Sequence, residues 1–158
     1  MRRQDRAVTD LSEIVDIISR CSVIRLGLSD NGVPYIVPLS FGYKEKDGQI
    51  TFFFHSAIEG RKIDIMKSNP HVCFELDNLL NIIQGETPCK WSAEYESVIG
   101  YGEISFIDDI EEKKSAMDLI VKKYGYAEVP EYSPGILART ALYKLSVSEI
   151  IGKRNVNV

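Results

Sequence analysis

Val23-Ile24-Arg25-Leu26-Gly27-Leu28-Ser29, Asp30-Asn31-Gly32 and Pro34-Tyr35-Ile36-Val37-Pro38-Leu39-Ser40-Phe41-Gly42-Tyr43 follow one another with only Val33 between the last two. Two runs rich in β-branched and aromatic residues thus flank an Asx-Gly turn, the composition of a strand pair. Lys46-Asp47-Gly48 repeats the signal before a third run, Gln49 to His55. Asn-Gly and Asp-Gly accept positive φ at low cost, so both turns predict hairpins and the three runs read as an antiparallel meander.

On the N-terminal side, Asp10 with Glu13 three residues later caps an amphipathic helix that presents Leu11, Ile14, Val15, Ile17 and Ile18 on one side and ends near Cys21. On the C-terminal side, Glu59 to Asn69 suits a short helix, closed by Asn69-Pro70, and His71 to Asp77 returns to a strand. Residues 78–90 resolve to neither state. Ser92 to Ile107 reads as one long or bent strand pair, with Gly100 and Gly102 as places for a bulge or a close approach. Asp108 starts a second long helix, with Glu111 at the capping-box spacing and Ile110, Met117, Ile120, Val121 and Tyr124 along a face. Residues 125–137 form a loop, Ala141 to Val147 a last strand, and Gly152-Lys153-Arg154 sits in a polar tail. About six strands, two longer helices and a short one must share a single core across residues 1–158. A sheet of that size in so short a chain is expected to curl into a closed or nearly closed barrel.

With 158 residues, 44% hydrophobic and 27% charged, the chain can bury about two-thirds of its unfolded surface and needs no disulfide or metal staples. A net charge of −4 disfavours general attraction to nucleic acid or anionic membrane. The charged start, Met1-Arg2-Arg3-Gln4-Asp5-Arg6, lacks the apolar stretch of a secretory signal and points to the cytoplasm. No window approaches a membrane span of roughly 18 apolar residues. Cys21, Cys73 and Cys89 form no Cys-x-x-Cys pair, and with only His55 and His71 beside them they predict buried thiols and no metal site.

The chemistry concentrates in His55-Ser56-Ala57-Ile58-Glu59-Gly60-Arg61-Lys62, which runs from a strand end into the first turn of a helix. A helix N-terminus carries partial positive charge, so Arg61 and Lys62 there are unfavourable unless an anion neutralises them. Free backbone N–H groups, the Ser56 hydroxyl, Gly60 and the two cations can form a phosphate cradle. An ordinary solvated basic turn is the alternative.

The whole chain resembles the flavin-binding split-barrel proteins related to pyridoxamine 5'-phosphate oxidase, and among them the 5-nitroimidazole resistance subgroup. Five marks in order carry the resemblance: Arg25-Leu26-Gly27, residues 34–43, residues 55–62, Asn69-Pro70-His71-Val72-Cys73-Phe74-Glu75, and Ser97-Val98-Ile99-Gly100-Tyr101-Gly102. It implies a mainly β fold with flanking helices, a six-stranded antiparallel Greek-key split barrel. It further implies a homodimer with one FMN per subunit at the interface, FAD or a deazaflavin being the alternatives. The flavin ring would lie along Val37, Pro38, Leu39, Ser40 and Phe41, contacted largely through backbone, and the phosphate would fall to His55 to Lys62, with Ser56, Arg61 and Lys62 foremost. The strand containing Ser97 would approach the ring from the partner subunit or lie near it.

His55, matching a histidine beside the flavin in that subgroup, is the candidate general acid or substrate contact, since imidazole titrates near neutral pH; otherwise it closes the strand. His71 at a strand start reads as structural. Trp91, Tyr95 and Tyr101 either offer an aromatic wall or belong to the core. Cys89 matches the subgroup and is either near the ring or a quiet buried thiol, and Lys153 and Arg154 either assist the phosphate or are tail charges. The arginine-rich closing segment of true pyridoxamine 5'-phosphate oxidases is missing, and with two histidines haem binding is weakly supported. No Gly-x-Gly-x-x-Gly follows a strand, so no Rossmann-type nicotinamide site is encoded. The resemblance implies an FMN-dependent oxidoreductase acting on a small aromatic or nitro-aromatic compound, the alternative being a flavin-binding or ligand-sensing protein without turnover.

Overall fold

A computed structural model describes residues 3–128 and 130–156. In chain order these form a 3-10 turn (Gln4–Arg6), β1 (Ala7–Val8), α1 (Leu11–Arg20), β2 (Ile24–Asp30), β3 (Val33–Leu39), β4 (Gly42–Lys46), β5 (Gln49–Ala57), α2 (Arg61–Ser68), β6 (His71–Ile83), a 3-10 turn (Pro88–Lys90), β7 (Ser92–Ile107), α3 (Ile110–Lys123), α4 (Pro134–Ala138) and β8 (Thr140–Asn155). Met1 and Arg2 of the charged start, Val129 of the 125–137 loop, and Asn157 and Val158 of the tail lie outside the described residues.

Both Asx-Gly turns form as their sequence requires. Asn31 and Gly32 take φ of 50° and 85°, Asp47 and Gly48 54° and 83°, the paired positive values that match the twist of a two-residue hairpin. All strand pairs are antiparallel, in the order β3-β2-β6-β7-β8-β5-β4, with β1 beside β8. The expected six-stranded split barrel is therefore corrected: eight strands make one sheet with flanking helices, and the sheet is not closed. Its end strands, β3 and β4, are joined by Ser40-Phe41 alone, so the sheet must curve back on itself, yet among the described residues no ladder joins them. Pro34 and Pro38 explain this, because each removes an N–H that a second neighbour of β3 would need. On β4, α3 approaches so closely that a Cβ at Gly42 would stand 2.6 Å from the Ile120 nitrogen.

Several extents differ from the sequence reading. The run 34–43 breaks at Phe41, whose N–H bonds to the Tyr124 hydroxyl at 3.1 Å in place of a ladder partner. β6 continues through Ile83 and β8 through Asn155, where an unassigned segment and a polar tail were expected. The cap of α3 is Asp109, whose carboxylate accepts from Glu111 and Glu112 nitrogens, one residue later than predicted. In contrast, Asp10 caps α1 by accepting from the Glu13 nitrogen at 3.1 Å. The register of β7 on β8 shifts between Tyr101 and Gly102, and a side chain on Gly100 or Gly102 would collide with the Glu149 or Ser146 carbonyl.

The core divides about β5. Phe52 and Phe54 point inward with Leu26, Phe74, Leu76, Val98 and Leu145 and the α1 stripe Ile14, Ile17 and Ile18. Phe53, on the opposite face, packs with Ala116 and Ile120 of α3 and with Ile107 and Leu142. Beside the main core lies Glu96, 1% exposed. Arg20 grips its carboxylate at 2.8 and 2.7 Å, and the Asn78 amide donates to it at 3.1 Å, tying α1 to β6 and β7. Among the described residues no helix is long and apolar enough to cross a membrane.

Candidate functional site

The end of β5 turns into α2 through Gly60, at φ 126° and ψ 163°, a region of backbone space that is essentially glycine-only. Nothing lies within 4 Å of where its Cβ would be. The backbone geometry, not crowding, therefore demands glycine, and the absent side chain leaves the helix start open. The Gly60 carbonyl accepts from Ile63 and Asp64 nitrogens at 2.8 and 3.2 Å. The Arg61 and Lys62 amides precede these and have no carbonyl within the helix to serve them.

His55 and Ser56 thus close β5 on opposite faces of the sheet, and Gly60, Arg61 and Lys62 open α2 a few residues later. Arg61 does not stand alone there: its Nη2 lies 3.3 Å from Asp30 Oδ2, and its guanidinium carbon lies 4.7 Å from the centre of the Tyr35 ring. The pair is loose and 57% exposed on the arginine side, a class worth about 0–1 kcal/mol, so an arriving anion can exchange with Asp30. The Ser56 hydroxyl donates to the Ala57 carbonyl at 2.9 Å. Near it, Tyr143 is fully buried and its hydroxyl has no hydrogen-bond partner among the described residues. Burial pushes this phenol up to about 12, opposed only by Ser56, which stands outside hydrogen-bonding geometry. Desolvation lowers the His55 imidazole below its ordinary value. This favours the neutral imidazole, which can donate or accept a hydrogen bond.

The ring-supporting segment is divided by side-chain direction. Val37 and Leu39 pack against the core, Phe41 is fully buried, and Pro38 and Ser40 face outward. Pro38 and Ser40 are the exposed side chains of 37–41, Val37 and Leu39 are half-buried, and the Phe41 N–H is already bonded to Tyr124. Ser97 lies elsewhere: it pairs with Asp77 of β6 and Lys153 of β8, and two strands, β2 and β6, separate β7 from β3.

Other expectations change. Trp91 and Tyr101 are each 53% exposed and do not belong to the core, while Tyr95 is half-buried. Cys89 is exposed, Cys73 half-buried, and only Cys21 is a buried thiol. Lys90 pairs with Glu86 at 2.8 Å. Arg154 is bound to Glu13 at 3.1 Å as part of the Glu96 cluster, whereas Lys153 lies against the Tyr95 ring. The His71 N–H bonds to the Asn69 side chain at 3.3 Å, consistent with a strand-start role. Asp30, Tyr35 and Tyr124 were not anticipated, since their partners lie 31, 26 and 83 residues away along the chain and no local pattern marks them. A groove of about 810 Å3 is lined by Gly27, Ser29, His71, Cys73, Tyr101 and Glu103 among others; of the candidate ligand contacts only Tyr101 lines it, and none of residues 37–41 or 55–62 does. Among the described residues no group of three or more His, Cys, Asp or Glu is placed to hold a metal ion.

Residues 10–154 match the family model for pyridoxamine 5'-phosphate oxidase, and the chain belongs to that family. It is 30% identical to a candidate 5-nitroimidazole antibiotic resistance protein from Bacteroides thetaiotaomicron, with a TM-score of 0.82 over 94% of this chain and 86% of that one. The same fold is found in a flavocytochrome from Azotobacter vinelandii (19% identity, TM-score 0.82, 99% of this chain and 72% of that one). An FAD and heme binding protein from Mycobacterium smegmatis shares it too (17%, 0.83, 96% and 74%). No curated protein matches the chain.

Proposed function

We propose that the chain binds FMN and acts as a flavin-dependent oxidoreductase on a small aromatic or nitro-aromatic compound, as a cytoplasmic homodimer. The observation that carries this reading is the junction of β5 and α2. There Gly60 leaves the helix start open, the Arg61 and Lys62 amides have no carbonyl within the helix, and Arg61 holds only a loose pair with Asp30, which supports a phosphate site. The unpartnered Tyr143 hydroxyl beneath Ser56 is a further polar atom that a bound group or an ordered water would satisfy. Membership of the pyridoxamine 5'-phosphate oxidase family and 30% identity to a candidate nitroimidazole-resistance protein support the same class of chemistry.

In this reading Arg61 and Lys62 hold the phosphate, Ser56 orients it, and the backbone of 37–41 with Pro38 and Ser40 supports the ring. The bound flavin supplies the electron chemistry. Neutral His55, beside the Ser40–Phe41 corner, hydrogen-bonds substrate or the ring edge. Ser97, remote within one subunit, reaches the site from the partner across the dimer interface. Three free thiols suit a reducing compartment.

Titration with FMN, followed by quenching of flavin fluorescence, tests the site. Arg61→Ala and Lys62→Ala should each weaken binding about tenfold or more, the loss of one charge-assisted contact. Unchanged affinity in the double variant removes the assignment. Reduction of the bound flavin by NADH or NADPH and reoxidation by a nitro-aromatic compound separates turnover from the alternative of flavin binding without turnover.

A further inference from the structure

Three side chains converge on a point that the flavin reading does not use. Arg6, from the first 3-10 turn, donates from Nη1 to the Tyr95 hydroxyl oxygen at 3.2 Å. Lys153 Nζ lies 5.1 Å from the centre of the same ring. The sheet register brings them together: β8 is flanked by β1 and β7, with Lys153 opposite Ala7 on one side and Ser97 on the other, and Asn155 opposite Tyr95. All three side chains are half-buried.

Their charge is not balanced. Arg3, Arg20, Arg25, Arg61, Lys144 and Arg154 each have a carboxylate within 4.0 Å. Among the described residues neither Arg6 nor Lys153 has one, as is also true of Lys44, Lys62 and Arg139 among others, and the Asp5 carboxylate acts on Arg6 only from a longer distance. Two cations are held against a neutral phenol where water screens them incompletely. Lys153 and, less strongly, Arg6 hydrogen-bond to and attract the Tyr95 phenolate and so pull the phenol below its ordinary value. Because Arg6 donates to the phenol oxygen, the O–H of Tyr95 remains free to donate outward, and its polarity is increased by that bond.

The geometry points to a subsite for a small anion, a carboxylate or a phosphate group, formed by Arg6, Lys153 and the Tyr95 hydroxyl. It is distinct from the Arg61–Lys62 junction and stands whether or not that junction holds a flavin. Lys153 supplies a mobile point charge, Arg6 a fixed planar donor, and Tyr95 a neutral donor between them.

The test is an NMR titration of the full-length protein labelled with 13C-tyrosine, first with inorganic phosphate and separately with benzoate. The Tyr95 resonance is identified by its loss in Tyr95→Phe. A saturable shift of that resonance is expected, and the anion that saturates it at lower concentration identifies the ligand class. Lys153→Gln should weaken the effect about tenfold, Lys153→Arg should retain it, and Arg61→Gln should leave it unaltered. Arg6→Gln serves the same purpose should Lys153→Gln fail to fold. No Tyr95 shift with either anion, or an unchanged midpoint in a folded Lys153→Gln or Arg6→Gln protein, overturns the proposal.

Discussion

Glycines that look equivalent along the chain carry different demands. At Gly60 the positive φ of 126° with nothing near the missing Cβ means that Gly60→Ala is opposed by backbone strain alone. A loss of about 1–3 kcal/mol in urea denaturation is expected. At Gly27 an added Cβ meets only ordinary contacts, at 3.6 and 3.8 Å, in regular strand geometry. Gly27→Ala should therefore be neutral or stabilise by up to about 1 kcal/mol in the same assay. Charge obeys the same local logic at Glu96. Burial pushes its carboxyl up, but the Arg20 grip, the Asn78 amide and Arg154 outweigh burial and hold it below the ordinary value of 4.5. A depressed folded pKa gives stability that is present in full above the unfolded value and is lost as pH falls through the folded one. Denaturation midpoints measured from pH 7 down to pH 3 should thus fall more steeply below about pH 4.5 in the native protein than in Glu96→Gln. Parallel curves would show that Glu96 contributes nothing to acid unfolding.

The ends of α1 and α3 and the corner between β3 and β4 meet at one node. The Tyr124 hydroxyl accepts from the Phe41 nitrogen at 3.1 Å and donates to the Ser22 carbonyl at 2.7 Å. Lys123 donates to the Ser19 and Cys21 carbonyls at 3.0 and 2.7 Å, where the α1 dipole favours a cation, and lies over the Phe41 ring. Tyr124→Phe removes both hydroxyl bonds and leaves a buried N–H without a partner, so a loss of about 1–3 kcal/mol is expected by denaturation. If residues 37–41 support a flavin, its affinity should fall as well, and an unchanged FMN titration would separate the corner from the site. None of this node was legible in the sequence, because Phe41 and Tyr124 are 83 residues apart. The hairpins were legible, since the conformational tolerance of Asn31-Gly32 and Asp47-Gly48 belongs to those residues themselves. The outer half of β6 was not, because Leu79, Leu80 and Ile82 are exposed there, and a run of apolar residues without alternation states no face. β8 was cut short for a related reason: Lys153, Arg154 and Asn155 look like a tail, and only pairing with β7 makes them a strand. The 55–62 junction was readable because its signal, cations at a helix start, is contiguous.

Across the whole molecule, α3 covers the outer face of the sheet around Phe53, Ile107 and Leu142, while the part of that face on β3 and β7 carries exposed side chains. Ile36 of β3, Gly27 of β2, Cys73 of β6 and Tyr101 of β7 are paired in succession across it, and Ile36 and Tyr101 are 66% and 53% exposed. An apolar row of this kind on an antiparallel sheet is a surface that a partner ordinarily covers. Gly27 at its centre, unexplained by any crowding within the chain, leaves room for a second backbone or side chain to approach. If the proposed homodimer uses this face, which also carries Pro38 and Ser97, the ring-supporting strand of one subunit comes near β7 of the other. Ile36→Lys should then convert the protein from twice the chain mass to the chain mass in light scattering, without lowering its unfolding midpoint, because Ile36 contributes nothing to the core of the single chain. FMN affinity should fall in the same variant, although Arg61 and Lys62 are untouched. A variant that stays dimeric places the interface elsewhere, and Ser97 then has no route to the flavin. A variant that becomes monomeric yet binds FMN as tightly as before confines the whole cofactor site to one subunit, with the junction of β5 and α2 as its sole anchor.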